Sequence, residues 1–183
     1  MSTRHWFAPI AVALLGGGIC AAQSAEPAQW MRHDIPFNYL PMTTTYSCIG
    51  LERKLRALLS ISGAREDMQV TTSGCARGAG VPDKFARARL VFYALRPANA
   101  AEKDANAEPA GTANGEWRRV RLGIRPVADL EVGDCELIEQ FRHSVLSTAF
   151  SVRAISEPAP CVPFQRSTGA FSLNFEVFAA PRG

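Results

Sequence analysis

Apolar residues fall on one helical stripe at two places in the chain. After Gly50, the residues Leu51, Leu55, Leu58, Leu59 and Ser62 recur with the period of an amphipathic helix, which Ser47 or Cys48 would start and Gly63 would end. Behind Gly133-Asp134-Cys135, the residues Leu137, Ile138, Phe141, Val145 and Leu146 repeat the stripe, with Asp134 as the expected N-cap. Each helix starts beside a cysteine and is followed by a strand-like run, 68–74 or 150–156, leading to a second cysteine, Cys75 or Cys161. A further alternating run then follows, 86–95 or 171–178. β-Branched and aromatic residues near Thr43 to Tyr46 and from Trp117 to Ile124 supply a leading strand for each group.

An offset of 86 residues lays Leu51 on Leu137, Leu55 on Phe141, Leu59 on Val145, Cys75 on Cys161 and Val91-Phe92 on Val177-Phe178. Self-similarity at a fixed spacing signals duplication, so the expectation is two β-α-β-β units, at 42–96 and 116–183. The fold class expected is α+β in two layers, a mainly antiparallel sheet with two helices on one face. Two small sheets, one per unit, are the alternative. Between the units, 97–115 (PANAAEKDANAEPAGTANG, from Pro97) has no apolar period and reads as a mobile surface loop. Residues 26–41 hold Trp30, Phe37 and Tyr39 among prolines and read as an extended N-terminal segment lying on the body.

The first 25 residues follow another pattern. Arg4 and His5 precede the apolar run from Trp6 to Leu15, then Gly16-Gly17-Gly18 and small residues from Ala21 to Ala25, the plan of a secretory signal peptide. The run is shorter than the ~20 apolar residues of a membrane-spanning helix, so cleavage after Ala22, Ser24 or Ala25 and a periplasmic or secreted product are expected. Removal of Arg4 and Cys20 leaves Cys48, Cys75, Cys135 and Cys161. An even count in an oxidising compartment points to two disulfides, for which three pairings exist. The repeated units favour Cys48 with Cys75 and Cys135 with Cys161, because helix start and strand end lie at one end of each unit.

Composition narrows the function by exclusion. A chain of 183 residues with 47% hydrophobic residues and a net charge of +3 can bury a core, and it carries too little excess charge for wholesale nucleic-acid binding. The common hydrolase, zinc-protease and nucleotide-binding motifs are missing, and no cofactor motif is found. Two alternating segments place arginines on one phase: Arg87 and Arg89 opposite Ala88, Leu90 and Phe92, and Arg119, Arg121 and Arg125 opposite Val120, Leu122 and Ile124. Were these strands paired, all five arginines would share one anion-binding sheet face. On the second helix Glu136, Glu139 and His143 offer an alternative, a metal or catalytic set on one side.

The stretches YSCIGLERKLRALLSISGA (from Tyr46), VTTSGCARG (from Val70) and GDCELIEQFR (from Gly133) resemble a family of uncharacterised Sec-exported proteobacterial proteins. The resemblance implies export and paired cysteines and supplies no activity. The function expected from the residues is a non-enzymatic envelope binding or accessory protein whose arginines contact an anionic partner, an envelope protein or an anionic envelope polymer. A periplasmic metal-handling protein or enzyme is the competing expectation.

Overall fold

The computed structural model describes residues 25–41, 44–75, 86–100, 107–122, 130–156 and 172–181. It shows one six-stranded, wholly antiparallel sheet with two helices, the expected α+β class. The elements are β1 (Glu26–Tyr39), α1 (Cys48–Ile61), β2 (Gln69–Ser73), β3 (Ala86–Pro97), β4 (Glu108–Leu122), α2 (Cys135–Phe141), β5 (Val152–Arg153) and β6 (Leu173–Ala179). Chain order is therefore β-α-β-β twice over. In space the strands lie β2-β3-β1-β4-β6-β5, so each unit keeps its own three strands together and the leading strands meet at the centre. Among the described residues no helix is long and apolar enough to cross a membrane.

The leading strand of the first unit is β1, not the stretch around Tyr46. Residues 26–41 thus carry a central strand rather than a surface segment, and they do so despite Pro27 and Pro36. β1 pairs with β3 from Ala28↔Pro97 to Tyr39↔Ala86, but with β4 only over Glu26–Arg32. The Pro27 carbonyl accepts from Ala98 N on the β3 side, and backbone groups alternate sides along a strand. Pro36 therefore turns its missing N–H toward the β4 side, beyond the last paired residue, where no ladder bond is lost.

The expected loop 97–115 is corrected in the same way. β3 runs on to Pro97, and 108–115 form the first half of β4, paired with β1. The ladder shifts register between Gln29 and Met31, and Gly111 sits there with φ +117°, a backbone state for which glycine is suited. Small residues of low strand propensity form a strand here because β1 supplies the partner edge.

α1 begins and ends as the sequence indicates. Ser47 caps it by accepting from Gly50 N at 3.1 Å. At its end Gly63 (φ +94°) donates to Ser60 O and Ala64 N donates to Leu59 O, the paired bonds of a Schellman motif. α2 continues through a π-helical turn, 142–146, and a last α turn, 147–149. Ser144, Ser147 and Thr148 hydroxyls donate back to carbonyls of Gln140, Arg142 and Ser144, competition that loosens the regular ladder.

Both helices pack on the same side of the sheet. One core cluster joins Leu51, Leu55, Leu58 and Leu59 of α1 and Leu137, Phe141 and Val145 from 135–149 to Phe37, Leu90, Phe92, Val120, Phe175 and Val177 of the strands. The opposite side carries a small second cluster, Ala28, Leu95 and Phe178 with Trp30, Ala113 and Trp117, directly over the β1–β4 seam. Gly115 is required there, because a Cβ on it would lie 2.4 Å from the Phe178 ring.

The two units match by pairing rather than by one offset. Trp30 faces Leu95 across β1 and β3, and Trp117 faces Phe178 across β4 and β6, which separates equivalent residues by 87 in the first strands and 83 in the last. The offset of 86 fails for Val91-Phe92 and Val177-Phe178: Phe92 lies in the helix-side core and Phe178 in the cluster on the other face.

The Cys48–Cys75 disulfide is present, with Cα atoms 5.1 Å apart. Cys135 is buried at the start of α2 and is disulfide-bonded. Its expected partner, Cys161, lies outside the described residues, as does the expected export segment up to residue 24. β1 begins directly after the expected cleavage window.

Candidate functional site

The helices cover one face of the sheet, so alternation along the strands delivers every second side chain to the other face. Arg87 and Arg89 of β3 and Arg119 and Arg121 of β4 are all exposed there. Arg125 lies outside the described residues. The condition that β3 and β4 pair is not met, because β1 lies between them. Arg89 stands beside Pro36, ten residues along β1 from Glu26, while Arg119 stands four residues past Gly115, the partner of Glu26. About 14 strand steps of ~3.3 Å separate them, a path of roughly 45 Å followed along β1 and β4. The arginines therefore share a face and divide into two pairs at its ends.

At the first end, Arg89 makes a two-bond contact with Asp34, Nε to Oδ1 at 2.8 Å and Nη2 to Oδ2 at 2.5 Å. Hydrogen bonding from Arg89 holds the Asp34 carboxyl below its ordinary range, with the charges of Arg89 and Arg32 acting in the same sense. Arg32 adds long contacts of 3.9 Å to Asp34 and Glu108. Arg87, between Asn38 and Ser73 on the neighbouring strands, has no carboxylate partner among the described residues.

At the second end, Glu176 lies between Arg153 (2.8 Å) and Arg119 (3.5 Å). The Arg153 hydrogen bond, reinforced by Arg119, holds its carboxyl below the usual range. Arg121 donates to the neutral Asn174 side chain at 3.0 Å and likewise has no carboxylate partner among the described residues. Each end thus keeps one arginine whose charge is not neutralised by a neighbouring carboxylate.

Between the ends the face changes character. Arg65 lies over Tyr93 at 3.8 Å and over Trp30 at 5.5 Å, and Arg153 lies over Trp117 at 4.1 Å. Guanidinium over indole thus occurs once in each unit. A shallow groove of about 510 Å³ at the seam belongs to the other phase of the strands: Gln29, Thr112 and Asn114 alternate with the outward Ala28, Trp30 and Ala113 and line it from the helix side.

The helix-borne alternative is not assembled. Glu136 is buried and His143 is exposed, so Glu136, Glu139 and His143 do not converge. His143 Nε2 instead lies 3.0 Å from Arg142 Nη2. Among the described residues no group of three or more His, Cys, Asp or Glu side chains is placed to hold a metal ion.

Glu136 belongs to a buried set that the sequence reading missed. Lys54 Nζ meets Asp134 Oδ2 at 2.6 Å, Tyr46 OH donates to Asp134 Oδ1 at 2.7 Å, and Glu131 N donates to Oδ2 at 2.7 Å. Burial pushes both the Tyr46 and Tyr39 phenols far above their ordinary range; the hydrogen bond to Asp134 adds to it for Tyr46, and the Glu136 charge adds to it for Tyr39. The available signal was Lys54 itself, which lies on the apolar stripe between Leu51, Leu55 and Leu58. Asp134, expected as an ordinary N-cap, makes no side-chain cap bond to α2 and anchors this network to α1.

Comparison with protein-family models, curated proteins and solved structures finds no match to this chain, and no residue role is carried over from a relative.

Proposed function

We propose that this chain is an exported, non-enzymatic binding module of the cell envelope whose outward sheet face contacts an anionic partner through Arg87, Arg89, Arg119 and Arg121. One observation carries the reading: on a sheet covered by helices on one side only, Arg87 and Arg121 stand exposed without a carboxylate partner among the described residues. A guanidinium in that state offers its donor fork to an incoming carboxylate or phosphate at no cost of breaking an internal ion pair. Arg89 and Arg119 stand two residues away on the same strands and add charge that exposed ion pairs only partly offset.

The Cys48–Cys75 disulfide supports an oxidising compartment, and the sequence plan of residues 1–25 supports export through a cleaved leader. Cell fractionation with N-terminal sequencing tests the second point, and an intact leader on a cytosolic product overturns it.

The binding reading is tested with the mature protein and a variant carrying Arg87→Ser, Arg89→Ser, Arg119→Ser and Arg121→Ser. Retention on isolated envelope material is measured across a salt series. Wild type is expected to be retained at low salt and released as salt rises, and the variant to be retained less. Equal retention of both proteins at every salt overturns the reading.

A further inference from the structure

We infer that the anionic partner is a linear acidic polysaccharide, one carboxylated glycan chain lying along the outward face and touching both arginine pairs at once. The inference rests on the reading of that face as an anion-binding surface and adds the class of partner. Three features select the class. The arginine pairs lie roughly 45 Å apart along the strands, so a compact anion reaches one pair only. The sheet twists by about 20–25° per strand, so a flat lipid surface that meets one pair turns away from the other, while a flexible chain follows the twist.

The third feature is the stretch between the pairs. Trp30, Tyr93 and Trp117 lie half-buried there, around the Ala28, Leu95 and Phe178 cluster. A polymer of phosphate groups alone would meet Arg65 and Arg153 here but has no C–H surface to set beside the Trp30, Tyr93 and Trp117 rings. A polypeptide lying on the face would leave its backbone N–H and C=O groups without the partners a sheet edge provides. A sugar ring has an apolar C–H face to set against the aromatic strip, and a uronic-acid residue carries a carboxylate for the guanidinium forks.

The arrangement of Trp30-Met31-Arg32 on β1 recurs as Trp117-Arg118-Arg119 on β4. In each, the tryptophan and the arginine two residues after it share the outward face, and another arginine, Arg65 or Arg153, lies over the indole. The face therefore offers two related half-sites joined at the seam, and two half-sites bridged by one chain gain affinity from effective concentration.

The experiment measures binding of the mature protein to size-fractionated polygalacturonate, with oligomers extended to less than and to more than the ~45 Å span. Inorganic polyphosphate of matching length and vesicles of anionic phospholipid are run beside it. Long polygalacturonate is expected to bind on the order of 10²-fold tighter than short. In an Arg87→Ser/Arg89→Ser variant, and separately in an Arg119→Ser/Arg121→Ser variant, that ratio is expected to fall to about one while binding of the short oligomer at the intact end persists. These residues are exposed, and unchanged thermal melting of each variant confirms that the fold is kept. Equal affinity for long and short polygalacturonate overturns the bridging geometry. Arginine-dependent binding of polyphosphate or vesicles in preference to polygalacturonate overturns the glycan class and leaves the anion-binding surface standing. Binding to all three probes that is indifferent to both variants, or to none of them, overturns the anion-binding reading as well.

Discussion

Replacing Lys54 with methionine leaves the Asp134 carboxylate buried without its ammonium partner. The pair is close, at 2.6 Å, and the two side chains are 11% and 2% exposed, so solvent cannot take over the role of the lysine. Breaking an enclosed pair by removing one partner costs about 3–5 kcal/mol. Tyr46 OH and Glu131 N still donate to the carboxylate in the variant, which places the expected loss near the low end, at about 3 kcal/mol. For a chain of this size that corresponds to a fall in Tm of about 6–12 °C. Urea unfolding of wild type, Lys54→Met, Asp134→Asn and the double variant measures it. Because the double variant no longer buries a lone charge, its loss is expected to be smaller than the sum of the singles by at least about 1 kcal/mol. A Lys54→Met loss under about 1 kcal/mol, or strictly additive singles, refutes the account of the network as a coupled ionic unit.

Two further outcomes follow from the same geometry. Tyr39 and Tyr46 have phenols raised far above the unfolded value of about 10, so the folded state holds protons that the unfolded state releases as pH climbs past 10. Stability is then fully present below pH ~10 and falls above it by about 1.4 kcal/mol per pH unit for each tyrosine, and urea midpoints from pH 9 to 11 should be flatter in Tyr46→Phe and Tyr39→Phe. Replacing both Cys48 and Cys75 by serine opens a loop spanning a sequence separation of 27 residues and should lower stability by about 3.5 kcal/mol in the chain-entropy account. Non-reducing peptide mapping of the mature protein checks the pairing first, and recovery of Cys48 and Cys75 as free thiols would remove the basis for that loss.

Where local chemistry decided the structure, the sequence announced it. The Ser47 cap, the stop at Gly63, the helix-period stripes and the strand alternation at Arg87 to Phe92 each depend on residues a few positions apart. The same is true of the Cys48–Cys75 bridge, which joins one helix start to the end of the next strand. What escaped notice depends on distant partners. Pro27 and Pro36 argue against a central strand until it is known which edge of β1 is left unpaired. The alanines and glycines near Pro109 look like a loop until β1 is placed beside them. The outward phase of the arginines was legible from alternation, but their separation into two ends was not, because it follows from the staggered overlap of β1 with β4. Lys54 went unmarked because nothing local shows that Asp134, 80 residues later, sits against it.

The stagger at the centre of the sheet also brings the outer limits of the fold together. Glu26 lies across β4 at Gly115 on one side, and Ala179 lies across β4 at Glu116 on the other, two strand spacings or ~10 Å apart. A short linker can close that gap. Circular permutants that join Ala179 to Glu26 and open the chain between Ala100 and Ala107 would retain every strand pair described, now with the second unit read first. The order in which the ribosome delivers the two units is therefore separable from the architecture they build, because the contacts across the seam, including Arg118 donating to Ile61 O at the end of α1 and Lys54 meeting Asp134, are made between units in either order.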